Sequence, residues 1–398
     1  MGLFPYQQRI CDEVVNELKH YTRPFVVNAF QSSGKSWMIA DIAKRVGKCL
    51  VLCMNKELVE QDHAKMVENG IDATIYSASC GQKVISDITV ATIGSIYKVP
   101  EYCQHFAVII IDECDGVPVD KKDSMYMKLF KSTRAKICGW TGTPFRTAHT
   151  FTRTRFGDVI QTTSIKPLTH FSFWGKIING IEYKELLGYG RCTPISYYSE
   201  DTDTSMLKVN STGLDYTEES LEKYGESTRE RVCQVVKGAV DVWNCKRILV
   251  AVPNIEEAER ISSELNNRGV KSEYLHSKMD KKTRTRIIKD FKEGKIRAVI
   301  QVLILNVGFD LPSLDCVVFA RPTLSLRIWC QFVARGIRVD KENPDKVCKV
   351  MDMCGTLSKF GKIEDVTVTD KDVMTTVGCI SNKVLNSVNV SAMARRYN

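Results

Sequence analysis

Along residues 1–165, short β-rich apolar runs alternate with stretches in which apolar positions recur every three to four residues. Strands are predicted at 25–29, 49–54, 73–75, 88–92, 108–111 and 135–140, and helices at 7–20, 35–46, 55–69 and 122–131. Strands separated by helices argue for a parallel sheet covered on both faces. Residues 141–195 break this rhythm. They are rich in Thr, Gly, Phe and Tyr and offer one short helical patch at 183–187, closed by Gly188. Residues 199–227 are polar and acid-rich (Glu200, Asp201, Asp203, Asp215, Glu218, Glu219, Glu222), which reads as a surface insertion or flexible connection. From 229 the alternation resumes, with helices at 229–242, 255–268, 280–293 and 325–335 and strands at 247–251, 272–275, 298–302, 316–319 and 347–352. The pattern divides the chain into a first α/β domain (1–165), a connector with a polar insertion (166–228), a second α/β domain (229–370) and an unassigned polar tail (371–398).

Composition narrows the class. Of the 398 residues, 43% are hydrophobic, enough for real cores. The 56 basic against 47 acidic residues leave +9, a mild bias towards polyanionic partners. Fifteen cysteines are scattered and odd in number, with no Cys-x-x-Cys pair, so reduced and mostly buried thiols in a cytoplasmic protein are expected rather than a zinc site or a disulfide framework. No apolar stretch approaches the ~20 residues of a membrane span, and no secretion signal is visible at the N-terminus.

Two segments carry chemistry. Residues 29–36 read Ala-Phe-Gln-Ser-Ser-Gly-Lys-Ser, a phosphate-loop pattern with Ala29 where Gly is usual. In such a loop the backbone N–H groups after Gly34 cradle phosphates at a helix N-terminus. Lys35 neutralises the β and γ phosphates, and Ser36 holds Mg²⁺. Residues 108–113 read Val-Ile-Ile-Ile-Asp-Glu, an apolar strand ending in two carboxylates. Asp112 would join the Mg²⁺ shell and Glu113 would orient the attacking water. The second α/β domain lacks a phosphate loop, which fits ATP bound in a cleft between two similar domains. A basic stretch at 271–297, with ten Lys or Arg against four acids, reads first as a solvated helix face and second as a nucleic-acid patch.

Further segments resemble a superfamily 2 DNA helicase or translocase, nearest to the phage and bacterial UvsW-like and type III restriction-like kind. Tyr6-Gln7-Gln8 looks like that family's adenine-reading element, with Gln7 as the reader. Residues 55–61 and 91–95 resemble segments that touch the nucleic-acid backbone, through Asn55, Lys56 and Thr92. Thr141-Gly142-Thr143-Pro144-Phe145-Arg146 is similar to the Thr-Gly-Thr-Pro coupling segment, and Arg146 joins the nucleic-acid candidates. Residues 306–312 look like the loop bridging nucleic acid and ATP: Asn306 on the nucleic-acid side, Gly308 and Asp310 on the nucleotide side. Residues 331–338 resemble the arginine-finger helix, with Gln331 at the nucleotide and Arg335 and Arg338, three apart, on one helix face. The resemblance covers about residues 4–365 in order and spacing.

It implies two tandem RecA-like domains, ATP and Mg²⁺ as cofactors, and forked, branched or single-stranded DNA as partner. It further implies action as a monomer. RNA, or a non-catalytic ATP- and nucleic-acid-binding subunit of a larger complex, are the alternatives. Three positions depart from the family. Cys114-Asp115 stands where Cys-His is more usual, Ala334 replaces a Gly, and Asn306 replaces a Thr. Asp115 can still hydrogen-bond the 141–143 segment.

Overall fold

The computed structural model describes residues 2–200, 202–302 and 311–389. The chain forms two compact units: 1–146 with 167–186 and 368–372, and 147–166 with 187–367 and 373–398.

The first unit opens with α1 (Pro5–His20), started by Pro5 and by a Gln7 side chain that reaches back to the Phe4 N–H. There follow β1 (Phe25–Ala29), α2 (Lys35–Val46), β2 (Cys49–Cys53), α3 (Lys56–Glu68), β3 (Thr74–Ser77), β4 (Gln82–Lys83), β5 (Ile88–Thr92) and α4 (Ile93–Ile96). Then come β6 (Val108–Asp112), α5 (Met125–Lys131) and β7 (Lys136–Thr141). Beyond β7 the chain makes β8 (Phe145–Arg153) and β9 (Val159–Pro167), and returns as β10 (Ile177–Ile181) and α6 (Tyr183–Gly188). The sheet order is β10-β1-β7-β6-β2-β5-β3-β4. It is parallel apart from the β3–β4 pair. β2 and β6 are buried at every position, as a sheet covered on both faces requires.

The second unit adds β11 (Ile195–Ser199), α7 (Glu218–Asp241), β12 (Ile248–Ala251), α8 (Ile255–Asn267), β13 (Ser272–Leu275), α9 (Lys281–Glu293), β14 (Ala298–Gln301), β15 (Cys316–Phe319), α10 (Leu326–Val333), β16 (Cys348–Asp352) and α11 (Thr356–Phe360). Its sheet is fully parallel, in the order β11-β16-β15-β12-β14-β13. Short strands β17 (Thr367–Val368), β18 (Val373–Thr375) and β19 (Gly378–Cys379) form one small sheet, and β20 (Asn386–Asn389) joins β9 and β8 in another.

Several elements differ from expectation. The acid-rich stretch is not all connector: α7 starts at Glu218, eleven residues before the predicted 229. The Thr217 hydroxyl caps it by accepting from Ser220 N, and Glu218 and Glu219 occupy the first turn, where the helix dipole favours negative charge. Residues 195–199 form β11, the edge of the second sheet. α10 ends at Val333, so Arg335 and Arg338 lie in the turns after it. There Arg335 N and Gly336 N bond to Phe332 O and Val333 O at 3.1 and 3.0 Å. Gly336 packs so close to β16 that a Cβ would lie 2.2 Å from Cys348 Sγ. The same-face argument, built on a continuous helix, therefore does not apply to the two arginines. All fifteen cysteines are free, and all but Cys80 and Cys379 are buried.

Candidate active site

The connection from β1 to α2 is tight and left-handed. Ser32 has φ +70° and Gly34 has φ +79°, and Ser33 N bonds back to Phe30 O at 3.1 Å. The backbone conformation favours glycine, and a Cβ on Gly34, 2.5 Å from Gln7 Nε2, would displace the Gln7 amide. α1 supplies that neighbour. The Tyr6 hydroxyl and Gln7 Nε2 both donate to Ser33 O, at 2.8 and 2.9 Å, while Gln7 Oε1 accepts from Phe4 N at 3.0 Å. Gln7, expected to read adenine, is buried, and its amide joins the loop at Ser33 to the start of α1 at Phe4.

Beneath the loop lies a buried charge cluster. Lys35 Nζ donates to Glu113 Oε1 and stands 4.0 Å from Asp112 Oδ1. Burial pushes the Lys35 pKa down, but the Glu113 and Asp112 carboxylates outweigh it and hold the ammonium charged. β6 delivers both carboxylates. Asp112 is its last residue, and Glu113 follows with φ +51°, a conformation that costs a non-glycine residue free energy and concentrates at working sites. A third acid, Asp62 on α3, was not anticipated. It is buried, accepts from Cys53 Sγ at 3.5 Å, and has its pKa pushed up to about 6, chiefly by burial. Asp112 is raised well above the carboxylate range by burial and then by Asp62. The signal for Asp62 was present in the sequence: it falls on the helix stripe of Leu58 and Met66, where a carboxylate has no packing reason to be.

Asp115, two residues past Glu113, accepts from Thr141 Oγ1 and Thr143 Oγ1, each at 3.0 Å. It thereby ties the end of β6 to the end of β7, and its aspartate makes the bond expected of it.

These residues fit a magnesium–nucleotide. The loop presents the start of α2, the buried Ser32 and Ser33 hydroxyls lack hydrogen-bond partners, and Lys35 supplies a cation. Ser36 and Asp112 offer the hard oxygen donors Mg²⁺ takes, and Asp112 Oδ1 is buried without a hydrogen-bond partner. Gln61 Nε2 donates to Ser36 Oγ at 3.3 Å. Among the described residues no three His, Cys, Asp or Glu side chains converge to hold a metal alone, so phosphate oxygens would complete the shell.

The nucleic-acid candidates of the first unit lie at strand ends. Asn55 caps α3 by accepting from Leu58 N at 3.0 Å, and Lys56 pairs with Glu60 at 3.2 Å. Thr92 caps no backbone group; its buried hydroxyl bonds Ser77 Oγ at 3.1 Å and Ser95 Oγ at 3.0 Å. Arg146 bonds Val117 O and Asp120 and lies 3.7 Å over the Phe171 ring.

In the second unit Gln331 is buried on α10, while Arg335 and Arg338 are half-buried. Asn306, Gly308 and Asp310 lie outside the described residues. Lys346 is an unanticipated neighbour. It is buried, its pKa is depressed by burial, and its ammonium donates to Pro312 O at 2.6 Å, to Leu314 O at 3.0 Å and to Arg338 O. The basic stretch divides: Arg286, Lys289 and Lys295 are paired with Glu273, Asp290 and Glu293.

Residues 1–146 match the family described as type III restriction enzyme, res subunit, and residues 228–340 match the helicase conserved C-terminal domain. A 51.5 kDa protein of Lactococcus phage (isolate 7-9) is 24% identical over 312 residues, covering 77% of this chain and 61% of that protein. The candidate mitochondrial ATP-dependent helicase Irc3 of Schizosaccharomyces pombe is 22% identical over 389 residues, 92% of this chain and 60% of its own. The chain thus spans about three fifths of these relatives' length.

Solved structures share the fold. A fragment of a candidate HsdR subunit of a type I restriction enzyme from Vibrio vulnificus YJ016 has TM-score 0.63 at 16% identity, covering 89% of this chain and 64% of that one. The type ISP restriction-modification enzyme LlaBIII bound to DNA has TM-score 0.59 at 16% identity, covering 88% and 27%. Saccharomyces cerevisiae Dbp5 bound to RNA has TM-score 0.56 at 13% identity, covering 89% and 88%. The two sheets are tandem RecA-like domains, and the chain belongs to the superfamily 2 helicases of the type III restriction-like kind. No helix among the described residues is long and apolar enough to cross a membrane.

Proposed function

We propose that this chain is an ATP-driven DNA helicase or translocase that remodels forked or branched DNA, acting as a monomer. The observation that carries the reading is the buried cluster of Lys35, Asp112 and Glu113 set under the glycine-dependent loop at the start of α2. In this reading Lys35 and the first N–H groups of α2 bind the phosphates, and Ser36 and Asp112 hold Mg²⁺. Glu113 orients the attacking water. Magnesium-bound ATP supplies the free energy of phosphoryl transfer. Arg338, with Arg335 beside it, is assigned the stabilisation of charge on the transferring phosphate, and Gln331 a contact with the nucleotide. Asp115 bonds Thr141 at the end of β7 and Thr143 just beyond it, so a displacement at Glu113 would pass to Arg146 and the segment beyond. Asn55, Lys56, Thr92 and Arg146 are the proposed contacts to the strand backbone, which makes binding sequence-tolerant and salt-sensitive.

The test is steady-state ATP turnover over single-stranded, duplex, forked and four-way DNA and matching RNA at several salt concentrations. Strongest stimulation by forks or four-way junctions, with affinity falling steeply in salt, is the expected result. Stimulation by RNA alone would replace DNA as the substrate. No stimulation by any nucleic acid would leave a binding subunit without a motor.

A further inference from the structure

None of the chemistry above uses the β8–β9 hairpin beyond Arg146. Its turn is well built: Thr154 N donates to Asp158 O at 2.7 Å, Gly157 N donates to Thr154 O at 3.0 Å, and Asp158 N donates to Thr154 Oγ1 at 3.1 Å. Gly157 takes the left-handed conformation the turn needs, φ +85°. The stem is held on both strands. Thr162 Oγ1 donates to Thr150 O at 3.3 Å, His149 Nδ1 meets Thr163 Oγ1 at 3.2 Å, and β20 pairs along β9 from the far side. A rigid stem therefore carries a short tip.

That tip is aromatic and basic. Phe156 is 93% exposed and Phe151 62%, the two most exposed phenylalanines described. Arg153 and Arg155 stand between them in sequence, both exposed, and neither pairs with a carboxylate among the described residues. From 147 to 166 the sole acid is Asp158, against Arg153, Arg155 and Lys166. Two phenyl rings in water lose the free energy that burying them would gain, so such a cluster marks a contact surface. An apolar partner alone would leave the guanidinium groups without counter-charge, and a duplex offers phosphates but no free base faces. An unpaired strand offers both a π-face and a phosphate per nucleotide.

We propose that the hairpin tip binds single-stranded nucleic acid, with Phe151 and Phe156 stacking on unpaired bases and Arg153 and Arg155 on the flanking phosphates. The proposal rests on the nucleic-acid reading above and adds a site that distinguishes single strands from duplex.

The experiment is fluorescence anisotropy of labelled single-stranded and blunt duplex oligonucleotides of one sequence, with the full chain. Phe151→Ala with Phe156→Ala is expected to weaken single-strand binding by roughly tenfold or more, and duplex binding by less than about threefold. The ring-preserving Phe151→Tyr with Phe156→Tyr should bind single strands within about threefold of the parent. Arg153→Ala with Arg155→Ala should lower the slope of log affinity against log salt by about 1.4 on single strands. Unchanged single-strand affinity in the alanine pair, or equal losses on both oligonucleotides, would overturn the tip assignment while leaving the motor reading standing. A parent chain that binds neither would overturn both.

Discussion

The two sheets share one six-strand order and part ways at the connection after its first strand. β1-β7-β6-β2-β5-β3 in the first unit and β11-β16-β15-β12-β14-β13 in the second run through the chain in the same sequence, so β1 and β11 hold equivalent places. The likeness extends to caps. Asn55 and Asn254 open α3 and α8 after equivalent strands, with φ −140° and −145°, each accepting from the N–H three residues on. After β1, however, residues 30–34 turn tightly into α2 through a left-handed glycine, whereas β11 ends at Ser199 and the Thr217 cap of α7 comes eighteen residues later. A phosphate site is thus one connection rewritten on a common frame. It needs a short loop, a glycine at the helix start and carboxylates from the neighbouring strands. The longer acidic loop supplies none of these.

The comparison can be broken most directly at that connection. Lys35→Ala should reduce ATP turnover by a factor on the order of 10³ or more with both units still folded. The matching change after β11, Thr217→Ala, should remove a cap for about 1 kcal/mol and leave nucleotide affinity alone. Turnover assays with thermal unfolding of each variant decide this, and normal turnover in a folded Lys35→Ala chain would end the assignment. Next, Glu113→Gln and Arg338→Ala should each bind nucleotide yet hydrolyse it slower by about 10³, measured by equilibrium nucleotide binding beside single-turnover hydrolysis. If Arg338→Ala turns over like the parent, the assignment of Arg338 to the transferring phosphate fails.

Lys346→Met tests a support peculiar to the second unit. It strips the donor from three carbonyls and should cost roughly 3 kcal/mol in urea unfolding. Because burial depresses the folded pKa, the native state sheds this proton at lower pH than the unfolded chain, whose lysine titrates near 10.5. Folding stability should therefore rise with pH between the two values, and Lys346→Met should lack that rise. Smallest are the paired caps: Asn55→Ala and Asn254→Ala should each cost about 1 kcal/mol. Only the first should also weaken nucleic-acid stimulation of turnover, if Asn55 touches the strand as proposed.

Legibility followed burial. Strands buried at every position are legible nearly to the residue: β2 and β6 as apolar runs, β5 as β-branched residues interrupted only by one alanine. β11 shows Ser and Tyr on a half-exposed edge, and β8 and β9 are threonine-rich with few buried positions, so neither gives an apolar run nor a clean alternation. The first turns of α7 were hidden because acids at a helix start look like a loop. At the site, Lys35, Asp112 and Glu113 announced themselves because their neighbours are fixed by sequence spacing. Asp62 and Lys346 act from positions distant in sequence, and only the phase of α3 betrays the first. The engagement of Gln7 with Ser33, through the space a Gly34 side chain would fill, depends on how α1 lies against the loop, which no local pattern encodes.

Lys346 also has a mechanical meaning. One ammonium moors the carbonyls of Pro312, Leu314 and Arg338, so two stretches of chain far apart in sequence share a single fastening. Pulling the Arg338 turn away must either move Pro312 and Leu314 with it or leave a buried carbonyl without its donor. The two stretches are coupled through one side chain, and a displacement of either loads the bonds that hold the other.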